Sequence, residues 1–287
     1  MKENNLHYTN PFMRQLNQKP QTCFGTVVKT ENYTRGIGEG LDFGSEDLTY
    51  QLGAYIDKRD WYMFGGKLGL ERAVKHTDPR LGFLLENFDD PETKERLRTY
   101  LGLEAQVVRP SDIRDDETKQ YIKKLRSDGK RLHDLSVDEI AEICKKDETV
   151  VKDFLIDNID GGNHVLVNFR YEPFSGREDG HYVFVAALEE SKPTQLYVAD
   201  PSPFNPDYWK EDLTKFLYSM MPLWKGGKRE RGFVVFSGRN RRRKDNPERI
   251  KEFLNSVPKY HPSITRLRRM RPHPETHLSI REKQKVA

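Results

Sequence analysis

The chain has few cysteines and no long apolar run. Cys23 and Cys144 are its only two thiols in 287 residues, and they lack the close spacing of a zinc site or a redox motif. No stretch approaches the roughly 20 apolar residues of a transmembrane helix, and residues 1–5 lead into no apolar segment of a secretory signal. These absences predict a cytoplasmic protein with no membrane contact, reduced thiols and no metal site.

Charge is distributed unevenly along the sequence. Residues 225–287 carry 19 Lys and Arg against 6 Asp and Glu, whereas residues 1–224 carry 30 basic and 39 acidic residues. The basic end therefore predicts contact with an acidic partner or with the acidic remainder of the chain. No aromatic-interleaved or helical recognition motif accompanies it, so we do not expect nucleic-acid binding.

Periodicity and turn signals predict a mixture of helices and strands. Residues 46–130 are mainly helical in pattern, with a short strand at 103–109. The capping-box spacing of Ser136 and Glu139 begins a helix on which Cys144 shares the apolar face of Ile140. The other predicted elements are a helix at 148–158, a strand at 164–169, a loop at 205–209, a helix at 213–221, a strand at 232–236, a helix at 249–257 and a tail at 258–287.

A predicted hairpin brings a histidine and an aspartate together. Strand-forming residues run from His181 to Leu188 and from Leu196 to Val198, and the polar stretch between them contains Pro193. His181 begins one strand and Asp200 follows the other, so an antiparallel pairing makes their ends neighbours. A carboxylate in that position fixes the imidazole tautomer and stabilises the imidazolium. The alternative is that both residues serve only packing and turn formation.

The second candidate is Cys23. Pro20 restricts the preceding chain, and Thr22 is suited to cap a helix that begins at Cys23. A thiol at a helix N-terminus lies where the macrodipole favours the thiolate. Gln18 and Gln21 lie just upstream, and either amide could donate to an oxyanion. The alternative is a small buried cysteine at a helix start.

Taken together, these residues resemble a known family. The segments Asn17 to Cys23, Gly180-His181-Tyr182 and Asp200-Pro201 through Trp209 are similar to the catalytic domain of phytochelatin synthases, and 149–169 resembles its middle helix and strand. Bacterial C39-type peptidases share much of this pattern. The resemblance covers residues 17–34 and about 136–237. Its departures are Gln18 five residues before the cysteine, where the family usually has six, and Phe24 between Cys23 and the glycine.

The resemblance implies a papain-like α+β fold, in which a helical part carrying Cys23 packs on an antiparallel sheet. It implies that Cys23 is the nucleophile, His181 the base and acid, and Asp200 the residue that orients the histidine. Gln18 would be the oxyanion donor, with Gln21 as its competitor. We expect Gln21, Gly180 and Tyr182 to contact substrate, and we expect no cofactor.

These expectations define a domain organisation and a function. Residues 1–238 form the catalytic domain, with a helical insertion at about 46–130, and residues 239–287 form a basic extension that is partly helical or disordered. The implied reaction is acyl transfer from glutathione or a related γ-glutamyl peptide through a thioester. The alternatives are a C39-like cysteine peptidase acting on a peptide or protein, and a catalytically idle papain-like module that binds a partner through its basic tail.

Overall fold

The computed structural model describes residues 6–8, 85, 88, 91–131, 134–175, 180–202, 208–221, 230–238 and 247–260. Cys23, Gln18 and Gln21 lie outside the described residues, as does most of the predicted insertion before residue 91. In chain order the elements are β1 (Leu6–Tyr8), α1 (Pro91–Leu101), β2 (Leu103–Val108), α2 (Pro110–Ile113), α3 (Asp116–Ser127), α4 (Val137–Asp160), β3 (His164–Arg170), α5 (Glu172–Ser175), β4 (Gly180–Glu189), β5 (Gln195–Ala199), β6 (Tyr208–Asp212), α6 (Leu213–Met220), β7 (Phe233–Gly238) and α7 (Pro247–Ser256).

The described strands form one antiparallel sheet in the order β2-β7-β3-β4-β5-β6. β1 pairs with the second half of β4, from Ala187 to Glu189, where β3 no longer accompanies it. All seven residues of β3 are buried, because this strand lies inside the sheet and has helices on both faces. The prediction of a mixed α and β protein with an antiparallel sheet is therefore confirmed.

Two hydrophobic clusters cover the two faces of the sheet. On one face α4 and α6 pack against Val183, Val185 and Val198. On the other face Leu97 of α1 and the buried side of α7 pack against alternate residues of the same strands. This alternation follows from the two-residue period of a strand. Consecutive side chains of β4 therefore pack into different hydrophobic clusters, on opposite faces of the sheet.

Several helix boundaries coincide with capping and stop signals in the local sequence. Ser136 caps α4 as expected, accepting a hydrogen bond from the Glu139 backbone N–H while the Glu139 carboxylate accepts one from the Ser136 backbone N–H. Asp115 caps α3 through the Thr118 backbone N–H at 2.7 Å. α1 ends at Leu101, before Gly102, which has a positive φ of 62°. Caps of this kind satisfy backbone groups that a helix end leaves unpaired.

Three predicted elements differ from the structure. The helix predicted at 148–158 is not separate, because α4 runs unbroken from Val137 to Asp160 and neither proline nor glycine interrupts it. The loop predicted at 205–209 already belongs to β6 at Tyr208 and Trp209. Residues 258–260, predicted as the start of a tail, instead pack along β6, with Pro258 accepting a hydrogen bond from the Lys210 N–H.

The described part of the predicted insertion also contributes to the sheet. β2 pairs with β7 along its whole length, from Leu103 opposite Gly238 to Val108 opposite Phe233. None of the helices in the described part of the chain combines the length and the apolar content that crossing a bilayer demands.

Candidate functional site

The hairpin of β4 and β5 places His181 and Asp200 on one face of the sheet. His181 is the second residue of β4, and Asp200 directly follows β5. The register pairs Phe184 with Ala199, so Asp200 lies diagonally across from His181, a separation that side chains span readily. Both side chains point to the layer that α4 and α6 cover, as do Val183 and Val198.

The predicted hydrogen bond between these two residues is present. His181 Nε2 lies 2.7 Å from Asp200 Oδ1, and the side chains are 2% and 0% exposed. An ionised carboxylate only accepts hydrogen bonds, so Nε2 carries the proton on this side of the ring. Nδ1 is then the ring nitrogen that a nucleophile would have to approach.

Asp200 is held by donors on both carboxylate oxygens. Oδ1 also accepts a hydrogen bond from the Ser202 backbone N–H at 2.8 Å. Oδ2 accepts one from Trp209 Nε1 at 2.8 Å and one from the Tyr171 hydroxyl at 3.3 Å. A buried carboxylate without such partners would cost several kcal/mol. These donors compensate that cost and fix the direction in which Asp200 faces His181.

The imidazole of His181 lies between aromatic rings. Tyr171, directly after β3, stacks on it at 4.6 Å between ring centroids with planes 23° apart. Phe169 meets it edge-on at 5.8 Å. Tyr171 therefore contacts both members of the pair, through its ring on His181 and its hydroxyl on Asp200. A stacked aromatic ring restricts rotation of the imidazole.

Trp209 belongs to an aromatic layer beneath the pair. Its indole stacks on Phe216 at 5.4 Å and also contacts Phe174 at 5.6 Å and Tyr260 at 4.7 Å. Trp209 is fully buried. The layer encloses the carboxylate in an apolar setting, where its hydrogen bonds are stronger than in water.

The predicted substrate contacts of β4 lie in different surroundings. Gly180 is exposed, and its Cα faces the guanidinium of Arg231, where a Cβ would come within 2.5 Å of Nη1. Tyr182 points to the opposite face of the sheet, where it is 3% exposed and contacts Phe88 edge-on. The structure thus brings His181 and Asp200 together but does not bring the Tyr182 side chain to them.

A second buried charged cluster lies near the start of β7. Arg114 donates to both carboxylate oxygens of Asp147, at 2.9 and 2.7 Å, and to Glu230 Oε1 at 2.5 Å. Burial alone would lower the pKa of Arg114, but the two carboxylates outweigh it and raise that pKa. Cys144 lies in the same layer, where burial raises the pKa of its thiol to about 12. The expectation that Cys144 is a core thiol is confirmed.

Three residues that hold the pair were missed as functional candidates. Trp209 carries a sequence signal, since it follows the Asp-Pro motif at a short distance, but it was placed in a loop. Tyr171 could have been found by aligning β3 with β4, because Arg170 pairs with Gly180. Ser202 contacts Asp200 through its backbone N–H, and a backbone contact of this kind leaves no signal in the pattern of side chains.

Within the described ranges, no group of three or more His, Cys, Asp or Glu side chains is arranged to hold a metal ion. A scan against protein-family models found no match for this chain, and a search of the curated proteins found none either. What the site can do is therefore inferred from its own residues.

Proposed function

We propose that this protein is a cysteine-dependent acyltransferase or peptidase in which Cys23, His181 and Asp200 act as a triad. The observation that supports this most is the buried hydrogen bond of 2.7 Å between His181 Nε2 and Asp200 Oδ1. Hydrogen bonds from Trp209 and Tyr171 fix the carboxylate further. An imidazole oriented in this way is the base that a thiol nucleophile requires.

The proposed fold is papain-like. In it, the helix that begins at Cys23 packs against the face of the sheet that carries His181, with Sγ directed at Nδ1. An experimental structure checks this directly, since the two atoms should lie within about 4 Å of each other. A Cys23 thiol on the opposite face, next to Tyr182, would rule out the triad.

The proposed reaction proceeds through a thioester. His181 accepts the proton of the Cys23 thiol, and the thiolate attacks the carbonyl carbon of an amide. The Cys23 backbone N–H and the amide of Gln18 or Gln21 stabilise the resulting oxyanion. The C–N bond then breaks, and the amine leaves with the proton from His181. Water or a second amine attacks the thioester and regenerates the thiol.

The proposed substrate follows the resemblance to phytochelatin synthases. It is the Cys-Gly amide of glutathione or of a related γ-glutamyl peptide. Cleavage there releases glycine and leaves a γ-glutamylcysteinyl group on Cys23. Transfer of that group to another peptide lengthens it, and transfer to water completes a hydrolysis.

A trapped acyl-enzyme tests the proposal. The protein is incubated with glutathione and quenched in acid, its intact mass is measured, and released glycine is quantified. We expect the intact mass to increase by one γ-glutamylcysteinyl group, and digestion of the quenched protein to place this group on the peptide that contains Cys23. Cys23→Ala should show neither the adduct nor glycine release, whereas Cys144→Ala should show both.

Other outcomes of the same experiment point elsewhere. An adduct formed from a peptide pool but not from glutathione would indicate a C39-like peptidase. No adduct from either source, together with wild-type glycine release in Cys23→Ala, would remove the covalent mechanism. No adduct and no turnover at all would indicate the idle binding module.

A further inference from the structure

We propose that Tyr260 is a positioning residue that holds the Asp200 carboxylate in place through Trp209. The segment 258–260 would thereby form part of the support of the candidate site, although it lies in the basic C-terminal region. The effect of Tyr260 on turnover rests on the proposed function, whereas its effect on the position of Asp200 follows from the contacts alone.

The segment is attached to β6 directly beside Trp209. The Lys210 N–H donates to the Pro258 carbonyl at 2.9 Å, and the Tyr260 N–H donates to the Lys210 carbonyl at 2.8 Å. The Lys259 ammonium lies 3.3 Å from Glu211 and 3.1 Å from Asp212, which are the next two residues of β6. These contacts fix the segment in register with the strand that carries Trp209.

This register places the Tyr260 ring against the indole. The ring centroids are 4.7 Å apart with planes 59° from parallel, and Tyr260 also meets Phe174 edge-on at 5.6 Å. Trp209 stacks on Phe216 at 5.4 Å, with planes 12° apart. The indole is thus confined from several sides, by Phe174 of α5, by Phe216 of α6 and by Tyr260 of the C-terminal segment.

The confined indole points its N–H at Asp200. Trp209 Nε1 donates to Oδ2 at 2.8 Å, while Oδ1 of the same carboxylate faces His181. Removing the Tyr260 ring leaves a cavity beside Trp209, and buried side chains relax into such cavities only in part. A rotated indole no longer donates to Oδ2. The carboxylate then gains freedom to turn, and the His181 imidazole loses its fixed partner.

A purely structural role for Tyr260 would give a different pattern, so the experiment needs a matched control. Phe253 is suitable because it belongs to α7 and contacts Tyr208 edge-on at 4.8 Å, on the opposite face of the sheet. Phe253→Ala removes a C-terminal aromatic ring without touching the layer around Trp209. Tyr260→Phe keeps the ring against Trp209 and removes only the hydroxyl.

The primary readout is the ring N–H of His181 in nuclear magnetic resonance spectra of the full chain, assigned by its loss in His181→Ala. In Tyr260→Ala we expect exchange of this proton with water to accelerate about tenfold or more, because the hydrogen bond to Asp200 opens more often. Tyr260→Phe and Phe253→Ala should keep the wild-type rate. Turnover should follow, with kcat lower by about three- to tenfold and KM within about twofold in Tyr260→Ala.

A folded Tyr260→Ala protein with wild-type exchange of the His181 ring proton would overturn the proposal. The same acceleration in Phe253→Ala would also overturn it, since the effect would then be general loosening. If Tyr260→Ala fails to fold, Tyr260→Leu retains apolar volume without the flat ring, and the same two criteria apply to it. Because the exchange measurement needs no substrate, it can fail or succeed independently of the proposed reaction.

Discussion

Asp200 and Asp147 are both buried carboxylates paired with a basic side chain, at 0% and 2% exposure. Asp147 faces the guanidinium of Arg114, which keeps its proton at any pH a protein survives. Asp200 faces the imidazole of His181, and an imidazole exchanges its proton near neutral pH. The two carboxylates are thus alike in burial and in having a basic partner. They differ in that His181 can release its proton, which makes its pair with Asp200 a catalytic candidate, whereas Arg114 and Asp147 form a fixed charge pair.

The hydrogen-bond donors around the two carboxylates also differ, because those of Asp147 are charged. Asp147 receives three hydrogen bonds from one guanidinium, and Glu230 accepts a further one from the same group. Among the described residues, Asp200 also accepts hydrogen bonds from the Ser202 backbone, the Trp209 indole and the Tyr171 hydroxyl, which are uncharged groups. Uncharged donors orient the carboxylate without neutralising it. These donors therefore orient the Asp200 carboxylate toward the imidazolium that would form when Cys23 loses its proton.

Asp200→Asn should cause the largest loss of turnover, because it removes the carboxylate partner of His181. The variant keeps the shape but removes the charge and favours the wrong imidazole tautomer. We expect turnover to fall roughly ten- to thousand-fold, about 1.4 to 4 kcal/mol of barrier, with a much smaller change in KM. The loss should be smaller than in a serine enzyme, because a cysteine and histidine already form an ion pair.

The pH–rate profile of Asp200→Asn provides a second check. The imidazolium loses its carboxylate neighbour, so it releases its proton at lower pH. If the alkaline limb reports that proton, the limb should move to lower pH in the variant. Unchanged turnover together with an unmoved limb would show that Asp200 merely follows a strand.

Substitution of Tyr171 should have the next largest effect. Tyr171→Phe keeps the ring on His181 and removes the hydrogen bond to Asp200, so turnover should fall about two- to tenfold, the equivalent of about 0.4–1.4 kcal/mol. Tyr171→Leu also removes the stacked ring and should cost more. Tyr121→Phe on α3 serves as the control and should match the wild type. Equal turnover in Tyr171→Leu and the wild type would contradict a role for this ring.

Arg114→Ala should affect folding rather than chemistry. It leaves Asp147 and Glu230 buried without their cation, and breaking such a pair costs roughly 3–5 kcal/mol of unfolding free energy. Urea titration measures this loss, and the exposed Arg126→Ala should stay within about 0.5 kcal/mol of the wild type. Turnover per folded molecule should remain within about twofold, since distant sites act nearly independently. A large fall in turnover of the folded Arg114→Ala protein would show that the cluster of Arg114, Asp147 and Glu230 helps to position the catalytic residues.

The Cys144 thiol should react least with an alkylating reagent in the native protein. Burial raises the pKa of this thiol to about 12, so the reactive thiolate is scarce at neutral pH. Iodoacetamide should therefore label Cys23 much faster than Cys144 in the native protein, and both at similar rates in concentrated urea. Native labelling of Cys144 as fast as Cys23 would show that the two thiols do not differ as proposed.

Local chemistry in the sequence was sufficient for much of the fold. The capping box of Ser136 and Glu139 and the strand-forming runs of β4 and β5 act between near neighbours, so their outcome was predictable. The separate helix predicted at 148–158 was wrong, because the charged stretch at 145–148 does not interrupt α4. In the structure Asp147 turns inward to Arg114 on the same face as Cys144 and Val151.

The sequence by itself determined the hairpin and the meeting of His181 with Asp200, because two strands joined by a short turn have few ways to pair. Only the tertiary structure decided what surrounds that meeting point. Tyr171 directly follows β3, Trp209 lies in β6, and Tyr260 belongs to a segment beyond α7. Their positions depend on sheet order and on aromatic packing between distant parts of the chain, and no local pattern encodes either of these.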